Sequence, residues 1–238
     1  YRFSVFRPTP GKAGGLSHNN LTCLYLDRHG HLWIGTFNGG VNRYNPETGR
    51  FQYYRAGPGS REGLCHDLVW TIGEDPAGNI WIGTAGGLTR LNPATGECVS
   101  YRHEPGRPAS LGHDDVRAIC FDRQGVLWIG TRGGGLNRLD PATGKITVYR
   151  HDSADPDSLA ADAVFAILED RHGRLWVGTS GGGLDRLART SGRFRHHVHR
   201  PDDRNSLSDN RVTALLEDRF GRLWVGTEAG GLQLLEPR

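Results

Sequence analysis

Methionine is absent from the 238 residues, lysine appears only as Lys12 and Lys145, and cysteine only four times. Cys23, Cys65, Cys98 and Cys120 form no CxxC pair, so neither a zinc site nor a redox dithiol is encoded, and free, mostly buried thiols are expected. No stretch approaches the ~18 consecutive apolar residues of a membrane span. The opening Tyr1-Arg2-Phe3-Ser4-Val5-Phe6 lacks the basic-then-apolar layout of a signal peptide. Without an initiating Met the chain reads as a mature or excised domain, with no direct membrane contact. Its 29 basic and 26 acidic residues leave a formal charge of +3 with no run of five like charges, which argues against a nucleic-acid partner.

Glycine is abundant instead, 35 residues without a three-residue period, which points to many turns. The apolar fraction of 36% suits a folded chain, and this length buries roughly three quarters of its unfolded surface.

Leu32-Trp33-Ile34-Gly35-Thr36 returns around Trp81, Trp128, Trp176 and Trp224, at spacings of 48, 47, 48 and 48 residues. Before each copy lies an apolar run ending in Asp and a Gly-containing turn, as in Val164 to Arg174. After each come a Gly-rich turn and two more short β segments, joined by turns such as Asn45-Pro46-Glu47-Thr48-Gly49. There proline fixes φ early and glycine supplies the left-handed end. Four β segments per repeat and no helical period predict an all-β, five-bladed propeller of four-stranded antiparallel blades in a single domain, 1–238. The blades fall at about 16–55, 64–102, 111–150, 159–199, and 207–238 plus 1–7. Arg2 to Arg7 aligns with the outer segment Arg50 to Arg55, while the chain ends after an inner segment. The N-terminal strand is therefore expected to complete the last blade and close the propeller, as a monomer. Trp33, Trp81, Trp128, Trp176 and Trp224 are assigned to the structure, with the Gly two residues on leaving room for the indole or its neighbour.

Ser158-Leu159, Asp162, Val164, Glu169-Asp170, Gly173, Leu175 to Thr179 and Gly182-Gly183-Leu184-Asp185-Arg186 carry a pattern that resembles the two-component regulator propeller repeat. The resemblance recurs five times over essentially the whole chain. It implies a propeller fold and an extracytoplasmic or periplasmic sensing role in a bacterial membrane regulator, with other domains of that regulator as partners and, in some relatives, carbohydrate as the signal. Members usually carry seven blades and a following β-sandwich, and neither is present here.

Function is sought where the copies differ. Asn19, Asp67, Asp114, Asp162 and Asn210 occupy one position ahead of each first strand and are read as turn residues rather than a metal ring. One position on stand Asn20, Leu68, Asp115, Ala163 and Arg211, and two further Thr22, Trp70, Arg117, Phe165 and Thr213. Trp70, Arg117, Phe165, Arg211, Asp115 and Asn20, with Phe37, Arg132 and Glu228 in the next turn, form the candidate binding set at the channel mouth. Aromatic faces and guanidinium groups suit a saccharide or an anion, and the competing reading is that they merely plug the channel. His18, His66 and His113, and the run His196 to His199, are read as surface residues with no designed metal site. No nucleophile, base and orienter trio is placed by motif, so no catalytic residue and no cofactor are expected. The expected function is ligand binding or sensing without catalysis, possession of an oligosaccharide or other small ligand being the open point. The alternatives are a bare scaffold, excised or engineered, without a selected ligand, and a propeller lyase or glycosidase using Asp115, Glu228 and His113.

Overall fold

The computed structural model describes residues 3–8, 14–57 and 63–235. Among them only strands form, and no helix is long and apolar enough to cross a membrane. Blade 1 is β1 (Leu21–Leu26), β2 (Leu32–Thr36), β3 (Val41–Asn45) and β4 (Arg50–Tyr54). Blade 2 is β5 (Val69–Glu74), β6 (Ile80–Thr84), β7 (Gly87–Leu91) and β8 (Cys98–Tyr101). Blade 3 is β9 (Val116–Phe121), β10 (Leu127–Thr131), β11 (Leu136–Leu139) and β12 (Ile146–Tyr149). Blade 4 is β13 (Val164–Glu169), β14 (Leu175–Thr179), β15 (Gly183–Ala188) and β16 (Arg193–His197), and blade 5 is β17 (Val212–Glu217), β18 (Leu223–Thr227) and β19 (Leu232–Leu235). Each is an antiparallel sheet in chain order, four of four strands and the last of three. The backbone divides into two compact units, Tyr1–Arg102 with Asp114–Val116, and His103–His113 with Arg117–Arg238.

The fourth strand expected for blade 5 from residues 1–7 is not in that sheet. Residues 1 and 2 lie outside the described residues, and residues 3–8 adopt no strand. Phe6 instead packs on Tyr44 and Phe51 of blade 1, with ring centroids 5.2 and 5.8 Å apart. Aromatic contact with its own first blade holds this segment.

The repeat is written around one polar contact. Asp27, Asp75, Asp122, Asp170 and Asp218 each accept the indole N–H six residues on, at 2.8–3.0 Å. The other carboxylate oxygen accepts backbone amides of the intervening turn, as Asp122 does from Gln124 at 3.0 Å and Val126 at 2.9 Å. One side chain thus shapes the first hairpin and pins the tryptophan. The indole face then stacks on the outer strand's aromatic residue, Trp33 on Tyr54 at 5.4 Å and Trp81 on Tyr101 at 5.5 Å.

Blades meet through a glycine and a valine rather than through an indole beside the glycine. A β-carbon on Gly83 would lie 2.7 Å from Val116 Cγ1, one on Gly130 2.6 Å from Val164 Cγ1, and one on Gly178 2.6 Å from Val212 Cγ1. The valine that opens β5, β9, β13 and β17 fills the hollow the preceding blade's glycine leaves. The indoles form the rest of the seam. Trp33 clusters with Val69, Ile72 and Ile82, and Trp128 with Val164, Val177 and Phe194. At the turn, Arg28 donates its amide to Glu74 at 3.0 Å, and Arg171 contacts Glu217 through both its amide (2.8 Å) and Nε (2.9 Å). Arg123 likewise donates its amide to Glu169 at 2.8 Å. Pro76 and Phe121 replace this pair at the blade 2 and blade 3 positions.

Two predictions follow from these contacts. Gly130→Ala should cost about 1–3 kcal/mol by overpacking against Val164. Gly226→Ala, whose new carbon meets only Ala214 at 3.2 Å, should stay within ~0.5 kcal/mol; equal losses in urea unfolding would contradict the seam. Burial raises the carboxyls of Asp27, Asp170 and Asp218, but the indole and amide donors outweigh it and hold all three below the usual carboxylate range. Stability from a lowered carboxyl is complete above the unfolded-chain value of about 4 and is lost as pH falls towards the folded value. These carboxyls should therefore make the unfolding free energy fall below about pH 4, and Asp170→Asn should flatten that acid limb. An unchanged limb in the variant would contradict the assignment.

Candidate functional site at the blade ends

A bulge defines the candidate positions. The ladder between the first two strands slips just after its first pair, between Leu21 and Cys23, Val69 and Thr71, Val164 and Ala166, and Val212 and Ala214. The extra residues are Thr22, Trp70, Phe165 and Thr213. A bulge re-aims its residue off the regular ladder, so these four residues stand outside the alternation that their neighbours follow. The backbone then ties the next turn to the same end. The Phe37 amide donates to the Asn20 carbonyl at 3.0 Å, Ser180 to Ala163 at 2.8 Å and Glu228 to Arg211 at 2.9 Å.

The candidates come together in pairs. In the N-terminal unit the Phe37 and Trp70 rings meet edge to face, 6.3 Å apart at 84°. Phe37 and Asn20 are exposed, Trp70 is half-buried and Asp115 is buried. In the C-terminal unit the Arg117 guanidinium lies 5.7 Å from the Phe165 ring centre, a cation–π contact. Arg211 and Glu228, both about half exposed, form an ion pair at 3.1 Å, and Arg132 is exposed. Trp70 belongs to the first unit and Arg117 to the second. Chemically, the first unit offers apolar faces beside an amide, and the second offers a guanidinium-capped ring beside paired opposite charges.

The other polar residues have structural work. Asp67, Asp162 and Asn210 each accept an amide eleven residues back, from Ala56, His151 and His199 at 2.6–2.8 Å, closing the loop between blades. These are loop ties rather than local turns. His18 and His66 accept the amide two residues on, at 3.0 and 2.9 Å. Among the described residues no group of three His, Cys, Asp or Glu is placed to hold a metal. The four thiols are free, Cys65 buried and the others half-buried, and burial pushes Cys23 up to about 11.

The three histidines at and just beyond the end of β16 part company. His197 stacks over Trp176 at 5.6 Å, where other blades place tyrosine, and His199 Nδ1 meets the Leu207 carbonyl at 2.5 Å. His196 sits between two acceptors, Asp185 Oδ1 at 2.6 Å and the Pro156 carbonyl at 2.8 Å. Burial opposes its charge, but these acceptors outweigh it and raise its pKa. Sequence reasoning missed this contact, because Asp185 and His196 belong to different strands and only the β15–β16 register sets them opposite. Three grooves of the C-terminal unit lie away from the candidate set, two of about 400 and 370 Å³ along blades 4 and 5 beside His197 and Leu235, and one of about 510 Å³ between Leu111 and Val148.

The two component regulator propeller family matches residues 15–38, 63–86, 110–133, 158–181 and 206–229. Among proteins with curated functions none matches. The chain is similar to the extracellular domain assigned to a hybrid two component system of B. thetaiotaomicron, with 30% identity and a TM-score of 0.80, covering 94% of this chain and 30% of that one. A second such domain from that organism gives 22% identity and a TM-score of 0.57, covering 94% and 34%. The chain thus spans about a third of the length of these structures. Virginiamycin B lyase from Staphylococcus aureus shares the fold at 18% identity and a TM-score of 0.64, covering 97% and 73%. Matched at each of its repeats, the chain belongs to the two component regulator propeller family.

Proposed function

We propose that this chain is a sensing module of a bacterial two-component regulator, placed outside the cytoplasm, that binds a small saccharide-like ligand at its blade ends and performs no catalysis. The observation that carries this reading is the bulge. The inner ladders of blades 1, 2, 4 and 5 repeat the same backbone device, yet the residue at the bulge changes from Thr22 to Trp70, Phe165 and Thr213. A purely structural position would have little cause to vary in size and polarity while its frame stays fixed. The aromatic and guanidinium groups suit the apolar faces and hydroxyls of a sugar, and Arg117, Arg132 and Arg211 suit a uronic acid carboxylate. Similarity to extracellular domains of two component systems supports the location and the regulatory setting. The surrounding domains of such a regulator would be the partners of this chain.

A second reading, a scaffold with no selected ligand, draws on the Phe37–Trp70 contact, since edge-to-face packing already occupies part of both rings. The lyase or glycosidase reading needs converging acids, and Glu228 is instead paired with Arg211. Calorimetry against neutral and uronic-acid oligosaccharides separates these readings. Saturable heat is expected, with Trp70→Ala weakening binding roughly three- to tenfold, the worth of one aromatic contact, at unchanged melting temperature. Full affinity in Trp70→Ala would remove that residue from the site, silence across the panel would leave the scaffold, and turnover of a bound sugar would overturn the non-catalytic assignment.

A further inference from the structure

One position on the third strand of each blade holds the loop that enters that blade. Asn42 and Asn137 accept the amides of Ser17 and Gly112 at 2.7 Å, Thr89 that of Cys65 at 3.0 Å, and Gln233 that of Ser208 at 2.7 Å. Blade 4 places Asp185 there, fully buried, accepting the Ala160 amide at 2.8 Å. A neutral acceptor does this work in four blades, so the loop tie does not explain a buried carboxylate. His196 does. The β15–β16 register sets it opposite Asp185, where the other four-stranded blades set Tyr53, Ser100 and Val148. Its Nδ1 lies 2.6 Å from Asp185 Oδ1 and its Nε2 2.8 Å from the Pro156 carbonyl.

Two ring nitrogens between two acceptors need two protons, and a neutral imidazole carries one. The fully bonded arrangement therefore requires an imidazolium facing a carboxylate or a neutral ring facing a protonated Asp185, and both contain the same single extra proton. Without it, one nitrogen presents a lone pair to an oxygen. The buried Asp185 keeps the Nδ1 proton, because a buried ionised carboxylate without its donor is the costlier loss, and the contact to the exposed Pro156 fails. Burial pushes the Asp185 carboxyl up. Burial opposes the charge on His196, but Asp185 and the Pro156 carbonyl outweigh it and raise the imidazole, so the pair holds on to its proton. The other charged groups facing the pair are Asp157 and His151 of the loop, with Arg193 of β16 ion-paired to Asp157 at 3.0 Å. Arg195 and His197 alternate onto the other face of β16, where His197 stacks on Trp176.

Blade 3 shows the same loop without this contact. His103 and His151 each donate from Nδ1 to a leucine carbonyl, Leu111 and Leu159, and Ser110 and Ser158 each accept the amide six residues back, from Glu104 and Asp152, so both loops close alike. Ahead of blade 4 the loop is also drawn onto the outer strand, by His196 at Pro156 and by the Phe194 amide at the Asp157 carbonyl, 2.8 Å each. Ahead of blade 3, Val148 stands in the place of His196, and among the described residues no main-chain bond joins Ile146 to Ala109. A groove of about 510 Å³ lies there between Pro108, Leu111 and Val148. We infer that His196 is a proton-operated latch, which with its proton bound fastens the loop of residues 152–158 to β16, and which on losing the proton lets that loop stand off as the blade 3 loop does.

Nitrogen NMR of the full chain from about pH 5 to about pH 9 tests this, reading the His196 ring and the exchange protection of the Phe194 amide together. The contribution of a raised imidazole is complete below the unfolded-chain value of about 6.5 and is lost as pH rises through the folded value. The His196 midpoint should therefore lie above the unfolded one, and Phe194 protection should fall about tenfold or more across it, the worth of a hydrogen bond to a charged group. Asp185→Asn, which copies Asn42 and Asn137 and so should keep the fold, should bring the midpoint down to the ordinary histidine range or lower. His196→Val, which copies blade 3, should leave Phe194 weakly protected at every pH, and His151→Gln should leave the pH dependence in place. A His196 midpoint at or below the unfolded value overturns the inference. So do Phe194 protection that is unchanged through the His196 titration, a midpoint that ignores Asp185→Asn, and protection that still follows pH in His196→Val or ceases to in His151→Gln.

Discussion

An aspartate at the end of each inner strand uses both carboxylate oxygens, one on the indole N–H six residues on and one on the amides of the turn between. This contact sets the hairpin and the orientation of the largest side chain in the blade together. Four of the five aspartates are buried, and these donors hold their ionised form, joined by Arg189 at Asp122 and Arg174 at Asp170. Everything outward follows. A pinned indole fixes the aromatic residue stacked on it, and the flat face it completes is the surface on which the next blade lays its valine.

The same economy leaves room for function. Because the polar clasp, the glycine hollow and the turn arginine hold the frame, the bulge residue beyond the first pair of each ladder carries little of the structure. Trp70 and Phe165 are large, half-buried and locally paired, while Thr22 and Thr213 at the same point are small. A frame this redundant tolerates a change of side chain at the bulge of blades 1, 2, 4 and 5 without losing its register.

Much of this was legible in the sequence. The spacing of the five tryptophans, the proline-glycine turns and the crowded small residues such as Ala118 and Ala166 specify strands, blades and their number, because period and turn chemistry are local properties. The partner of Gly130 was misjudged, since two residues on one face of a strand look like neighbours until the adjacent blade brings Val164 between them. The bulge was hidden, as one extra residue in a ladder changes no composition. The N-terminal strand failed for another reason. Its pattern matches an outer strand, but pattern alone does not choose between the edge of β19 and the aromatic surface of Tyr44 and Phe51 on which Phe6 lies. Likewise His196 and His197 are adjacent in sequence and opposite in role, one held by Asp185 and the other laid on Trp176.

The central claim is that the carboxylate and the indole N–H act as a unit, and a double-mutant cycle on Asp170→Asn and Trp176→Phe measures it most directly. Phenylalanine keeps an aromatic ring and removes the N–H, and asparagine keeps the shape and removes the charge. The account predicts that the two losses in unfolding free energy are coupled by about 1.5 kcal/mol or more, the worth of a hydrogen bond to a charged group. Losses that simply add would contradict it.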